Sequence, residues 1–179
     1  TWGAVTLGRQ YAPGYQATAN NDPLAGAPLD PNSFLSAQGG NTITPNSGAR
    51  WNNAIAYTSP NWSGFSAKAI YGFGETAAAD GSYNTNAVSV SDNGKWGIGA
   101  NYANGPVNID LLYQERTNVT GVSILSTPGF ALFPPDGKNI NEWYVGGSYD
   151  FKMVKIMASY QQQDDKNSMN LDNKLWNVG

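Results

Sequence analysis

Apolar and polar residues alternate along four stretches of the chain, at 95–103, 107–116, 141–151 and 154–163. This alternation predicts β-strands, because successive side chains of a strand point to opposite faces. Each stretch has the length of about 9–11 residues that a tilted strand needs to cross a bilayer. Aliphatic side chains occupy the middle of each apolar face, and Trp or Tyr stand near its ends, a pattern typical of lipid-facing strands between aromatic girdles. The sequence therefore places five aromatic side chains on a lipid-facing surface: Trp96, Tyr102, Trp143, Tyr149 and Tyr160.

Similar alternation elsewhere extends the prediction to eight strands. They are 2–10, 50–59, 65–74, 95–103, 107–116, 141–151, 154–163 and 173–179. Short connections alternate with the long ones, which are 11–49, 75–94, 117–140 and 164–172. An antiparallel up-and-down sheet has this asymmetry, with short turns at one side and long loops at the other. A Greek-key sandwich would mix the two kinds of connection.

The connection 11–49 is too long to be a structureless loop in a compact domain. We therefore expect it to pack somewhere, such as inside a wide barrel. Asp22-Pro23 and Asp30-Pro31 each predict a capped helical turn with proline in its first position. Gly39-Gly40 and Gly48 would let the chain turn back.

Composition limits the function classes. Mean hydropathy is −0.42, and no apolar run approaches the roughly 18 residues of a membrane helix. These two measures do not detect a membrane β-barrel, because every second residue of its strands is polar. The net charge of −3 offers no basic footprint for nucleic acid. The 179 residues contain neither Cys nor His, which removes thiolate metal sites and His-dependent catalytic groups from this chain. No cofactor is predicted.

Two architectures remain open at this point. One is a soluble β-sandwich or lipocalin-like barrel, and the sandwich would bind carbohydrate through surface Trp and Tyr. The other is a membrane barrel, which the terminal aromatics, the unequal connections and a second face rich in Gly, Asn and Ser all favour. Eight strands left open in lipid would have two unpaired edges, and eight closed strands would leave no room for a long inserted loop. We therefore expect this chain to be an internal piece of a barrel of about 16 strands.

Several motifs in chain order carry a family resemblance. They are Leu7-Gly8-Arg9-Gln10-Tyr11, Arg50-Trp51-Asn52-Asn53-Ala54-Ile55-Ala56-Tyr57-Thr58-Ser59-Pro60 with Gly64-Phe65, Tyr71-Gly72-Phe73-Gly74-Glu75, and Gly97-Ile98-Gly99-Ala100-Asn101-Tyr102 with Gly105-Pro106. The set resembles the general porins of Gram-negative outer membranes, especially those of β-proteobacteria. The resemblance implies an all-β, 16-stranded homotrimeric barrel in the bacterial outer membrane, with residues 1–179 as part of one barrel domain. It implies that 11–49 is the loop that folds inward and constricts a channel for ions and small hydrophilic solutes, and that the protein is not an enzyme.

Candidate pore residues follow from strand parity and from the resemblance. A charge on the lipid face costs about 2–4 kcal/mol at mid-bilayer, so Arg50 should face the lumen, opposite Trp51. A solvated arginine at a strand end is an equal alternative from the sequence alone, and the resemblance favours the pore role. By the same parity Lys68 faces inward. Arg9 shares the face of Leu7 unless a bulge at Gly8 turns it, and the resemblance implies that it lines the constriction.

Three further residues complete the predicted site. Arg116 faces the lumen by parity, and Asp22 and Asp30 are the acids of the long loop, expected to point into the lumen. Basic side chains clustered on one wall favour anions. The sequence therefore predicts a weak to moderate anion preference.

Overall fold

The computed structural model describes residues 2–24, 27, 30–74, 93–119, 137–168 and 170–179. In these residues it has eight strands, two α-helices and one short 3-10 helix. The strands are β1 (Ala4–Tyr11), β2 (Arg50–Thr58), β3 (Phe65–Gly72), β4 (Lys95–Asn104), β5 (Val107–Arg116), β6 (Ile140–Asp150), β7 (Lys155–Asp165) and β8 (Asn173–Val178), and the helices are α1 (Pro13–Asn20), α2 (Pro31–Gly39) and the 3-10 helix Ser47–Ala49. Every predicted strand is found, with ends within a few residues of the prediction.

The strands form one sheet in the order β1-β2-β3-β4-β5-β6-β7-β8, and each pairs antiparallel with its neighbours in sequence. This is the predicted up-and-down topology. The short connections 59–64, 105–106 and 151–154 lie at one rim. Of the long connections at the other rim, 75–94 and 117–140 lie largely outside the described residues. Within the described part of the chain, no helix has both the length and the apolar character needed to cross a membrane.

One face of the sheet, here called the apolar face, carries large exposed hydrophobic side chains. Leu111 and Ile98 lie at its centre, each 52% exposed. Of the five aromatics predicted to lie there, Trp96, Tyr102, Trp143 and Tyr149 are exposed, and Tyr160 packs against the Trp143 ring at 5.1 Å. The prediction that these rings lie outside the packed core is confirmed. The face consequently has the chemistry of a lipid-facing surface.

The opposite face, here called the polar face, is covered by the connection between β1 and β2. Helix α1 packs on β4, β5 and β6, and α2 packs on β8. Two small hydrophobic clusters lie between this connection and the sheet. One cluster holds Ala12, Trp51, Ala54, Ala56 and Ile70, and the other holds Ala17, Ile43, Leu112 and Tyr144. The core of the described chain therefore lies between the long connection and the polar face.

Close packing of α1 on the sheet depends on a glycine of β4. A Cβ added at Gly99 would lie 2.6 Å from the Cβ of Pro13, closer than real Cβ contacts. We expect Gly99→Val to lower the free energy of unfolding by about 1–3 kcal/mol, the usual cost of overpacking. Urea unfolding in detergent micelles measures this cost. Ala100→Val enlarges the next residue of β4, on the apolar face, and an equal loss in both variants would contradict the packing described here.

A bulge in β2 changes one prediction of strand parity. Between Gly8 and Gln10 of β1 the register shifts, so that Asn52 and Asn53 together oppose Arg9. Asn53 has a φ of 45°, in the left-handed region that Asn tolerates better than most residues. The extra residue turns Trp51 onto the polar face, where it is 1% exposed. The expectation that Trp51 lies on the lipid face, opposite Arg50, is therefore wrong. Strand parity consequently no longer places Arg50 in the lumen, and its role there stays a prediction.

Candidate functional site

A buried carboxylate on β5 anchors the first half of the long connection. Asp110 is 4% exposed. It accepts hydrogen bonds from the side-chain amides of Asn21 at 2.7 Å, Asn101 at 2.8 Å and Asn108 at 2.7 Å, and from Asn20 at 3.3 Å. Two of these amides belong to the connection and two to the sheet. The carboxylate therefore ties α1 to the wall while its charge is satisfied by amide donors.

A second buried carboxylate, on β6, anchors the other half. The backbone N–H and the hydroxyl of Thr42 donate to Glu142 at 2.7 and 2.5 Å, and Gln114 donates at 2.7 Å. Arg116 lies 3.7 Å from the same carboxylate and donates to the Gln163 amide oxygen at 2.8 Å. Arg116 is thus on the polar face, as predicted, and its charge is paired with Glu142.

The two acids of the connection lie close together near β8. Asp22 and Asp30 are 3% and 0% exposed. Asn32 donates through its side chain to Asp22 at 2.8 Å and through its backbone N–H to Asp30 at 2.7 Å, and Asn177 of β8 reaches Asp22 at 3.3 Å. Asp30 is the N-cap of α2, with Pro31 in the first turn, as the sequence predicted. The place of these two carboxylates in a pore lining stays a prediction, and their described surroundings are protein amides.

Titration of Asp30 should make the stability of the protein depend on pH. Burial, together with the neighbouring Asp22 carboxylate, raises the pKa of Asp30 from 3.8 to about 6. Because this pKa is raised in the folded protein, the contribution of Asp30 to the free energy of unfolding is fully present below about pH 4. That contribution is lost as the pH rises through 6.

We expect Asp30→Asn, which keeps the N-cap oxygen and removes the charge, to lose less stability than the wild type between pH 4 and 7. Urea unfolding at both pH values tests this. The control is Asp150→Asn, at an exposed carboxylate at the end of β6. An identical loss in wild type and Asp30→Asn would contradict the assignment.

Two of the predicted basic residues converge on Tyr11, at the end of β1. Arg50 donates to the Tyr11 hydroxyl, and its guanidinium lies 4.6 Å from the centre of that ring. Lys68 donates to the Tyr11 carbonyl oxygen at 2.5 Å. Tyr11 in turn stacks on Tyr15 of α1, with ring centres 3.8 Å apart. Strands β1, β2 and β3 thus place the Arg50 guanidinium and the Lys68 ammonium near the N-terminus of α1.

Arg9 lies near this pair, and the bulge does not by itself turn it inward. Gly8 pairs with Ala54 and Gln10 with Trp51, both buried on the polar face, and the additional residue belongs to β2. Alternation then leaves Arg9 on the side of Leu7. Arg9 is exposed, and its role in a constriction stays a prediction.

Lys95 is a basic residue that the site prediction left out. It lies opposite Gly72 and Arg116 in the sheet, and its ammonium is 6.0 Å from the centre of the Trp51 ring. Alternation along 95–103 puts Lys95 on the polar face, because its neighbour Trp96 lies on the apolar face. What the sequence did not indicate was its position beside Arg50, with which it lines a cavity.

The fold and the site together define a class of protein. An up-and-down sheet has a lipid-compatible apolar face and a polar face, and a long connection is bound across the polar face. These are the parts of an outer-membrane barrel wall with an inserted loop.

Comparisons with known proteins agree with this class. The family model for Gram-negative porins matches residues 1–179, so the chain belongs to the Gram-negative porin family. Members of this family are outer-membrane channels rather than enzymes. Membership of this family also excludes the alternative of a soluble carbohydrate-binding β-sandwich.

Individual relatives are distant but cover almost all of the chain. Outer membrane porin protein 32 of Delftia acidovorans is 28% identical over 97% of the chain, and an outer membrane porin protein of Bordetella pertussis is 25% identical over 92%. A solved structure, the anion-selective porin from Comamonas acidovorans, matches 99% of the chain with a TM-score of 0.62 and 23% identity. The chain spans only 44% and 39% of the two curated relatives and 47% of the solved chain.

Proposed function

We propose that the whole protein forms a water-filled channel through which ions and small hydrophilic solutes diffuse across the outer membrane. In this proposal residues 1–179 supply about half of a barrel of roughly 16 strands. The connection 11–49 narrows the channel, and the assembled protein is a homotrimer surrounded by outer-membrane lipid. The observation that carries the proposal is the long connection bound to the polar face of a sheet whose other face is apolar.

The distribution of charge supports an anion preference. The four carboxylates that bind or belong to the connection are Asp22, Asp30, Asp110 and Glu142, none more than 4% exposed. Protein hydrogen bonds surround them. Arg50, Lys68 and Lys95 are instead half-buried. A low-dielectric wall focuses the electric field of accessible charges into the water path. These cations therefore dominate the electrostatic potential that a permeating ion experiences. The likeness to a solved anion-selective porin supports the same direction.

Arg50 should carry a measurable share of this selectivity. We expect Arg50→Gln to move the reversal potential under a potassium chloride gradient toward cation selectivity. The shift should be larger at 0.1 M than at 1 M salt, because the screening length falls from about 10 to about 3 Å. The measurement uses the full-length protein in a planar bilayer, with Lys152→Gln, in an exposed short turn, as the matched control. A cation-selective wild type, or no shift for Arg50→Gln, would overturn the proposed role.

A further inference from the structure

A cavity of about 170 Å³ lies between helix α1 and the polar face of the sheet. Its lining on the sheet includes Thr58, at the end of β2, and Ser66, near the start of β3. These two residues flank the short connection 59–64, so the cavity lies toward the rim of the short connections. At Gly99, which also lines the cavity, the sheet has no side chain and Pro13 of α1 packs directly on the strand.

The lining combines aliphatic surface with neutral polar groups. Pro13, Ala17 and Leu112 supply the aliphatic part. Hydroxyl and amide groups are contributed by Gln16, Thr58, Ser66 and Asn101. Sites for small molecules typically have this composition, with an apolar surface and a few polar groups that fix the orientation of the ligand. A molecule that fits has one apolar face and hydroxyl groups around its edge.

The charges of the lining favour a neutral ligand. Among the described residues that line the cavity, Lys68 and Asp110 are charged, and their signs are opposite. Lys68 donates to the Tyr11 carbonyl oxygen at 2.5 Å. Asp110 accepts from four side-chain amides, two of them at 2.7 Å, and a carboxylate has only about four acceptor sites. Neither charge is therefore left without protein partners.

We propose that this cavity binds one neutral monosaccharide ring, with its C–H face against Pro13 and Ala17 and its hydroxyls hydrogen-bonded to Thr58 and Ser66. Sugar hydroxyls both donate and accept hydrogen bonds, as the hydroxyls of Ser and Thr do. The volume of the cavity suits a single ring rather than a longer saccharide. The site rests on the proposed function, since the sugar reaches it through the channel, and it adds a neutral solute to the ions that the channel passes.

Glucose block of the salt current tests the site in the full-length protein. Glucose is added to one side of a planar bilayer at a time, and the half-blocking concentration is measured for each side. We expect saturable block at lower concentration from the side of the short connections. Ser66→Ala should raise the half-blocking concentration about fivefold, because one neutral hydrogen bond is lost. Ser66→Leu places an aliphatic side chain in the cavity and should abolish the saturable block.

The control is Ser148→Ala, which removes a hydroxyl from the polar face of β6, outside the lining of the cavity. Its half-blocking concentration should stay at the wild-type value. Glucose changes the viscosity of the solution equally for every variant, so the difference between variants reports binding. Equal values for wild type and Ser66→Leu, or an equal rise in Ser148→Ala, would overturn the site. A wild type that conducts salt without saturable glucose block overturns the site and leaves the proposed channel standing. A wild type that conducts no salt overturns the channel and the site together.

Discussion

Replacing Glu142 with alanine should destabilise the protein by about 3–5 kcal/mol, the usual cost of removing one partner from a buried ion pair. Glu142 is fully buried, and it is the acceptor for Thr42 and Gln114 as well as the ion-pair partner of Arg116. Without the carboxylate, the Thr42 backbone N–H loses its acceptor and the Arg116 charge loses its partner. The second half of the long connection should then detach from the wall.

Urea unfolding and proteolysis of the connection measure this effect. Glu142→Gln keeps one acceptor oxygen and should lose less stability than Glu142→Ala. The control is Glu115→Ala, which removes a half-exposed carboxylate from the adjacent strand. A loss of less than about 1 kcal/mol in Glu142→Ala would show that the carboxylate does not anchor the connection.

An arginine in place of Leu111 should cost about 2–4 kcal/mol in a bilayer, the penalty for a charge at mid-membrane on the lipid face. Leu111 is 52% exposed and lies at the centre of the apolar face, between Ala100 and Val145 in the sheet. Folding into lipid vesicles, followed by urea titration, gives the difference directly.

Met157→Arg makes a comparable change on the polar face. Met157 lies on the polar face of β7, the same face as the buried Ser159 two residues further along. Because that face is wet in the proposed channel, its arginine should cost less than about 1 kcal/mol. Equal costs at the two positions would mean that the apolar face does not meet lipid.

The sequence was sufficient to predict the sheet because strand signals are local. Alternation indicates which residues form strands, and short turns such as Asn104-Gly105-Pro106 indicate which strands pair. The N-cap at Asp30 was predicted for the same reason, since its partner Asn32 lies two residues away. At Asp22 the same reasoning predicted a capped helical turn, whereas residues 23–24 form only a turn, in which the Leu24 backbone N–H donates to the Asp22 carboxylate at 2.7 Å.

Features that depend on distant residues were not predictable in this way. The inward position of Trp51 depends on a bulge at Asn53, for which the Asn52-Asn53 pair is a weak signal at most. The burial of Asp22 depends on Asn177, which is 155 positions away in the chain. The proximity of Lys95 to Arg50 likewise depends on packing across three strands. Parity can therefore select the face of a charged residue, but not which charges are neutralised.

The most direct test of the constricting loop is the conductance of a channel that lacks it. Tyr11 pairs with Arg50 across the sheet, so a two-residue turn can replace residues 12–49 and close a β1–β2 hairpin. Single-channel conductance of the full-length protein with this replacement should rise about twofold or more, because pore width limits the flow of hydrated ions. An unchanged conductance in a correctly folded variant would contradict the claim that the connection narrows the channel.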